Sequence, residues 1–451
     1  MKRILTAVTA LLLALSLVAC STIERTPIEE LMSDIQGANE NLEQSGGEEG
    51  SKPESLEESS EEESEESEES SKEEESSKAE SSKESSKESS KESSKESSKE
   101  SSKESSKESS KESSKESSKP VSSQTVVTPT GNDLAGVWIS YLELSGFAGS
   151  SQSTFTSKIS AMMKKAKNAG CNAVFVQVRP FGDATYPSSV YPWSKTVSGG
   201  VNKSLSYDPL KIMVEQAHAY GLECHAWINP YRLMKDAELA KIPTDYRIGK
   251  WYQSSKRDNY MYQVDGTWWL KPGNEEAQKL IADGAKEILK NYAVDGLHID
   301  DYFYAVSPST LGDSASQAKQ NNTTLVKTLY NLTHQLRPNA VFGVSPAGGF
   351  LKGNNVPNSD IGALSTNLKL WCSQSGYIDY GMPQIYWDEN HATQPYTMTL
   401  DKWRGLVTSP SVKLYVGIAL YKGFDSDTIA AQKQAALGKA DGYCLYRYDF
   451  I

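Results

Sequence analysis

The chain has 451 residues, with 59 acidic against 47 basic side chains and a formal net charge of −12 at pH 7. No basic stripe runs along it, which argues against nucleic acid as a partner. Past the first twenty residues no apolar run is long enough for a further bilayer span.

Residues 1–20 read as a processing segment and stay out of the fold argument. Lys2 and Arg3 give a positive start, Ile4 to Val18 an apolar stretch, and Leu17-Val18-Ala19-Cys20 closes it. That tetrapeptide resembles the bacterial lipobox. The resemblance implies cleavage before Cys20 and lipidation of that residue, hence an extracytoplasmic protein anchored to the cell membrane and facing the cell wall. An ordinary signal peptide with a coincidental cysteine is the alternative. An anchor of this kind is stable when it carries more than one acyl chain.

From 21 to 130 Glu, Ser and Lys dominate, and from Glu80 the tetrad Glu-Ser-Ser-Lys recurs up to Lys119-Pro120. Such a segment has too little apolar surface to offset the entropy of ordering, so a disordered tether is expected. Glu–Lys pairs three and four apart make a weak helix the rival, but Ser is a mediocre helix former. A flexible chain of roughly 110 residues reaches ~60 Å in root-mean-square terms, enough to hold a domain off a membrane. Many of the acids sit here, so the net charge overstates the acidity of the rest.

Residues 131–451 exceed an average domain but suit one large barrel. Buried strands are predicted at Ala135 to Tyr141, Ala173 to Arg179, Glu223 to Asn229, Val294 to Asp300, Val341 to Ser345, Ile378 to Tyr386, Lys413 to Leu420 and Tyr443 to Tyr448. Helical patterns lie between them at Ser153 to Ala169, Pro209 to Tyr220, Glu275 to Tyr292, Ser314 to Leu336 and Asp427 to Ala440. Asn274 and Asp208 are sound helix starts. This alternation predicts an α/β chain folded as a parallel (β/α)8 TIM-type barrel. A doubly wound open sheet is the rival, but no glycine-rich phosphate loop follows the first strand. The chain stops at Ile451 directly after the eighth strand, so either the usual closing helix is missing or another element covers that seam. Cys171, Cys224, Cys372 and Cys444 show no paired zinc spacing and read as buried free thiols.

Barrel chemistry sits at the carboxyl ends of the strands. Those ends gather Ser140, Tyr141 and Glu143; Gln177, Arg179 and Asp183; His225, Trp227, Asn229, Tyr231 and Arg232; Asp300, Asp301 and Tyr302; Ser345; Gln384, Tyr386, Trp387, Asp388 and Glu389; Tyr421 and Lys422; Arg447 and Asp449. Amides, carboxylates and aromatics suit sugars, whose hydroxyls need paired polar partners and whose C–H faces stack on rings. Two long excursions, Pro180 to Ser206 and Pro230 to Asn274, carry many more aromatics, which either wall a site or pack the loops onto the barrel.

The focus is Asp300-Asp301, two adjacent acids at the end of an apolar strand and followed by Tyr302-Phe303-Tyr304. A helix cap or a solvated loop explains a single Asp; the pair in this setting suits acid catalysis. Alternation puts His298, Asp300 and Tyr302 on one face, with Asp301 displaced where the strand ends. Asp388, after the sixth strand, is the reserve base or nucleophile. A metal site from His225, His298, Asp300 and Asp301 is disfavoured by the absence of a His-x-x-x-His pair, and no cofactor or metal is expected.

Five blocks also carry a family resemblance: Gly136 to Ser140, Phe175 to Pro180, His225 to Arg232, Asp295 to Tyr304 and Met382 to Trp387. Together they resemble the glycosyl-hydrolase-like family 10 domain from about Leu134 onward. The resemblance implies a TIM barrel in a secreted or lipid-anchored bacterial protein that acts on glycan, with peptidoglycan strands foremost. The fourth block is more distantly similar to the chitinase motif of alternating acids. Here His298 replaces one acid and Tyr302 stands where the catalytic one belongs, so that mechanism does not transfer directly. The Asp-Asp pair is similar to that of N-acetylglucosaminidases acting with substrate assistance. On that analogy Asp300 orients the substrate and Asp301 is the general acid, with the reverse assignment open. Gln177, Arg179, His225, Trp227, Asn229, Tyr231, Arg232, His298, Tyr302, Gln384, Tyr386 and Trp387 are the expected substrate-binding residues. A glycan-binding envelope lipoprotein without catalysis is the alternative, since fold alone does not give function.

Overall fold

The computed structural model describes residues 133–361 and 363–451. The signal segment, Cys20 and the 21–130 tether lie outside the described residues.

Eight parallel strand positions form a closed ring, as the alternating pattern predicts. They are β1 (Leu134–Ile139), β2 (Ala173–Arg179), β3 (Glu223–Ile228), β4 (Gly296–Ile299), β5 (Val341–Val344), β6 (Tyr380–Gly381), β7 (Lys413–Leu414, resuming as Val416–Ala419) and β8 (Gly442–Tyr446). Each pairs with its neighbours in chain order. β8 returns to β1 with Leu134 opposite Gly442. β6 is far shorter than the run Ile378 to Tyr386 suggests. Pro383 has no N–H to donate, and beyond Gly381 the pairing continues only as single bridges from Gln384 to Ala347 and Gly417.

Helices on the outside connect the strands: Gln152–Asn168, Pro209–Ala219, Glu275–Asn291, Ala315–Leu336, Leu368–Ser373, Tyr396–Leu406 and Ser426–Lys439. Asp208 and Asn274 cap their helices as expected, accepting from Lys211 N at 3.1 Å and Ala277 N at 2.9 Å. The helices Leu368–Ser373 and Tyr396–Leu406 are not predicted from the sequence. The first is short, and the second starts at Pro395 without a side-chain cap.

Period-two alternation splits the strand side chains between two cores. Val137, Val176, Ala226, Leu297 and Val344 face the helices. Trp138, Phe175, Trp227, Tyr380, Met382 and Cys444 fill the barrel interior. Large rings fit there because glycines stand opposite them. A Cβ on Gly296 would overlap His225, and one on Gly343 would overlap the ring of Tyr380. The four cysteines after Cys20 are buried free thiols, as their apolar surroundings predict.

The β8–β1 seam is followed by the short turn Tyr448–Phe450, with Lys165 of the helix Gln152–Asn168 4.9 Å from the Tyr448 ring centroid. At the top of the same seam Arg447 Nη1 donates to Glu143 Oε1 at 2.5 Å. Ser140 N and Oγ donate to the other oxygen of Glu143 at 2.8 and 2.5 Å, so β1 and β8 are joined above the ring.

The excursion after β3 holds a second, antiparallel sheet of Arg232–Lys235, Thr267–Leu270 and Met261–Val264, in that spatial order. Asp265 and Gly266 form its two-residue turn with φ of 50° and 72°, the left-handed pair that a tight hairpin requires. Among the described residues no helix is long and apolar enough to cross a membrane.

Candidate active site

β4 ends at Ile299, and the next two residues carry the acids into the mouth of the barrel. A cavity of about 280 Å³ opens there. Asp300, Asp301 and Tyr302 from the end of β4 line it with Gln177, Trp227 and Arg232. Trp138, Tyr141, Ser345, Gln384, Tyr386, Tyr421 and Tyr446 complete the wall.

Asp300 is 3% exposed and held by N–H donors. Its Oδ2 accepts from Trp227 Nε1 at 2.9 Å and from Asn229 Nδ2 at 2.7 Å, and Oδ1 accepts from Tyr302 N at 3.4 Å. The Asn229 amide is itself fixed. Tyr141 N donates to Gln177 Oε1 at 3.0 Å, and Gln177 Nε2 donates to Asn229 Oδ1 at 2.5 Å. That chain leaves Asn229 only its donor end for the acid.

Burial, and then the charge of Asp301, push the Asp300 carboxyl above the ordinary carboxylate range, against the pull of Arg232 and the N–H donors. Burial raises Asp301 as well, with Gln384 and Arg232 opposing. Two acids side by side in a low-dielectric pocket do not both ionise readily, so the pair keeps a proton at neutral pH. The donors on Asp300 favour its anion, but burial and the charge of Asp301 outweigh them.

Aromatic faces wall the space. Tyr386 stacks on Tyr446 at 5.6 Å and 18°, while Tyr421 meets both rings edge-on. Arg232 has its guanidinium carbon 3.9 Å from the Tyr302 centroid, and its Nε donates to Pro180 O at 3.1 Å.

Several residues expected at the site stand elsewhere. His225 lies inward but below Trp227, stacked on Phe175 at 4.5 Å, with Nε2 3.0 Å from Glu223. His298 is fully buried beneath the acids. Trp138 Nε1 donates to its Nε2 at 3.3 Å, so Nδ1 carries the hydrogen toward Tyr380 OH at 3.0 Å. Burial pushes His298 well below its usual range, and the ring is neutral.

Arg179 leaves the inward phase where the β2 register shifts between Gln177 and Arg179. Its guanidinium donates to Tyr191 OH and Pro230 O, each at 3.2 Å. Tyr231 is core, Trp387 donates to Gln394 O at 2.5 Å, and the Asp388 carboxylate accepts from Asn390 N and Nδ2 at 3.0 and 2.9 Å. None of these lines the cavity. Asn229 reaches it only through its bonds to Asp300 and Gln177.

Trp138 and Tyr446 are wall residues that a reading of strand ends does not include. Trp138 sits inside β1, two residues before Ser140 on the inward phase, and Tyr446 is the last residue of β8, short of the strand end at Tyr448 that the sequence suggests. Several excursion aromatics pack the loops instead: Tyr186, Tyr191, Trp251 and Trp268 are buried.

A closed (β/α)8 barrel with paired acids and stacked aromatic rings at its carboxyl mouth has the architecture of a glycoside hydrolase. The chain belongs to the Glycosyl hydrolase-like 10 family, whose model matches residues 133–434. It is 32% identical over 286 residues to Glycosyl hydrolase YngK of Bacillus subtilis (strain 168), a match covering 58% of this chain and 55% of that protein. It is 34% identical over 280 residues to Glycosyl hydrolase DigH of Escherichia coli (strain K12), covering 56% of this chain and 63% of that one. The chain therefore spans little more than half the length of these relatives. The fold is shared with the PgaB (BpsB) glycoside hydrolase domain from Bordetella bronchiseptica. That match has a TM-score of 0.50 at 13% identity and covers 70% of this chain and 94% of that one.

Proposed function

We propose that this protein hydrolyses O-glycosidic bonds in bacterial cell-wall glycan, with peptidoglycan strands as its substrate and the acid pair after β4 as its chemical centre. The observation that carries the reading is the junction of Asp300 and Asp301 inside one aromatic-walled cavity at the barrel mouth. Tyr386 and Tyr446 offer ring surface for sugar C–H groups, and Arg232 offers donors for hydroxyl, amide or acidic groups.

In this reading Asp301 gives its proton to the glycosidic oxygen as the bond from that oxygen to the anomeric carbon breaks. The acetamido oxygen of the same sugar bonds to the anomeric carbon, steered by the Asp300 carboxylate. Water then adds at that carbon, the acetamido oxygen leaves, and one proton of the water returns to Asp301. Trp227 and Asn229 hold Asp300 in place for this task, and burial raises the Asp301 carboxyl above the ordinary carboxylate range.

The lipobox-like end at Cys20 and the Ser/Glu/Lys-rich segment 21–130 support a place outside the cytoplasmic membrane, with that segment as a spacer toward the wall. Cys20→Ser is expected to move the protein from the membrane to the soluble fraction.

The test of function is release of new reducing ends from purified sacculi. Release by wild type, lost in Asp300→Asn and in Asp301→Asn, supports the proposal. Retention of strands without release by any form would leave a glycan-binding envelope protein.

A further inference from the structure

A second cavity, of about 500 Å³, adjoins the first. Thr267 and Trp269 line it from the hairpin, and Tyr304, Ala305 and Leu364 from the barrel side. Asp301 and Tyr302 line both cavities, whereas Asp300 lines only the first. Tyr302 is therefore the ridge between them. Trp269 stacks on it at 5.9 Å and 21°, and Arg232 packs on the same ring.

The hairpin strand explains why Trp269 is available. In Thr267–Leu270 burial alternates, so Trp268 and Leu270 are buried while Thr267 and Trp269 keep an open face. The part of the Trp269 ring not covered by Tyr302 faces the second cavity, where a sugar ring can stack on it.

We infer that the hairpin cavity is the leaving-group side of one continuous glycan groove, with Trp269 as the platform for the departing sugar and the scissile bond lying across Tyr302. The inference rests on the glycosidase reading above and gives that groove a direction. An acid that protonates the departing oxygen must reach the space on both sides of the broken bond. Asp301 meets that condition and Asp300 does not. The sugar whose anomeric carbon reacts therefore occupies the enclosed cavity under Tyr386 and Tyr446, and the strand continues over the hairpin.

The experiment is a binding titration with the full chain carrying Asp301→Asn, so that the probe survives. The probe is glycan strands from purified sacculi, size-fractionated, with and without stem peptides. Affinity is expected to rise with strand length as the second cavity fills. Adding Trp269→Ala should abolish that rise and weaken binding of the longer strands roughly tenfold, the scale of one lost aromatic contact, while Trp269→Phe restores most of it. Leu364→Arg, which fills the cavity from the opposite wall, should give the same loss and covers the case in which Trp269→Ala does not fold. Equal affinity at every length with and without these substitutions would overturn the groove while leaving the glycosidase reading intact. No binding of any strand by the Asp301→Asn chain would overturn both.

Discussion

Trp227 Nε1 lies 2.9 Å from Oδ2 of Asp300, so a side chain from β3 holds the acid that follows β4. Trp227 also stands opposite His298 in the β3–β4 register. Removing the indole N–H while keeping a ring, as in Trp227→Phe, takes away a donor that favours the Asp300 anion. Glycan cleavage is expected to fall about tenfold, and the alkaline limb of the pH–rate profile should move upward, because the remaining proton is held more tightly. An unchanged profile would show that this hydrogen bond does not tune the pair.

Separate Asp300→Asn and Asp301→Asn variants should each lose roughly 10²- to 10⁴-fold in turnover. Neither should lower the melting temperature much, because each substitution replaces an acid that the pocket already prefers uncharged. Kinetics on glycan strands and thermal melting of the same samples check both halves.

The acids also set a pH dependence of stability. Their folded pKa values lie above the ordinary carboxylate value, so the folded state binds more protons than the unfolded chain over that interval. Their stabilising contribution is complete in acid below the unfolded value and is lost as pH rises through the folded one. Melting temperature should therefore decline from about pH 5 toward about pH 9, with a shallower slope in the double Asn variant. Identical slopes in the two proteins would contradict the assignment.

Much of this fold is readable from the chain because the ring strands are short apolar runs with helices between them. The acid pair is readable because it ends such a run. Depth within the barrel is not. Alternation places His225, Trp227, His298 and Asp300 all inward, but only the last inward residue of each strand reaches the cavity. The two histidines fill the interior, where Phe175 and Tyr380 pack against them. Arg179 escapes the pattern because a register shift in β2 breaks the phase. The sheet that carries Trp269 had a local signal in Val264-Asp265-Gly266-Thr267, an Asp-Gly turn between β-favouring residues, which a count of excursion aromatics passes over.

The contact between Arg447 and Glu143 predicts a stability effect away from the acids. Glu143 has a side chain only 2% exposed, and Arg447 is its cationic partner. Arg447→Ala leaves a buried carboxylate uncompensated and should cost about 2–4 kcal/mol in urea denaturation. Adding Glu143→Gln should recover part of the loss, since the Ser140 donors tolerate a neutral acceptor. No recovery in the double variant would mean that the loss comes from packing of the arginine stem.

The most direct test of the central claim is digestion of purified glycan strands in water enriched in oxygen-18, with mass spectrometry of the fragments. Hydrolysis at the acid pair predicts shortened strands that carry one heavy oxygen at each new reducing end, abundant with wild type and absent with Asp301→Asn. Intact strands with wild type, or labelled fragments at wild-type yield from either Asn variant, would contradict it.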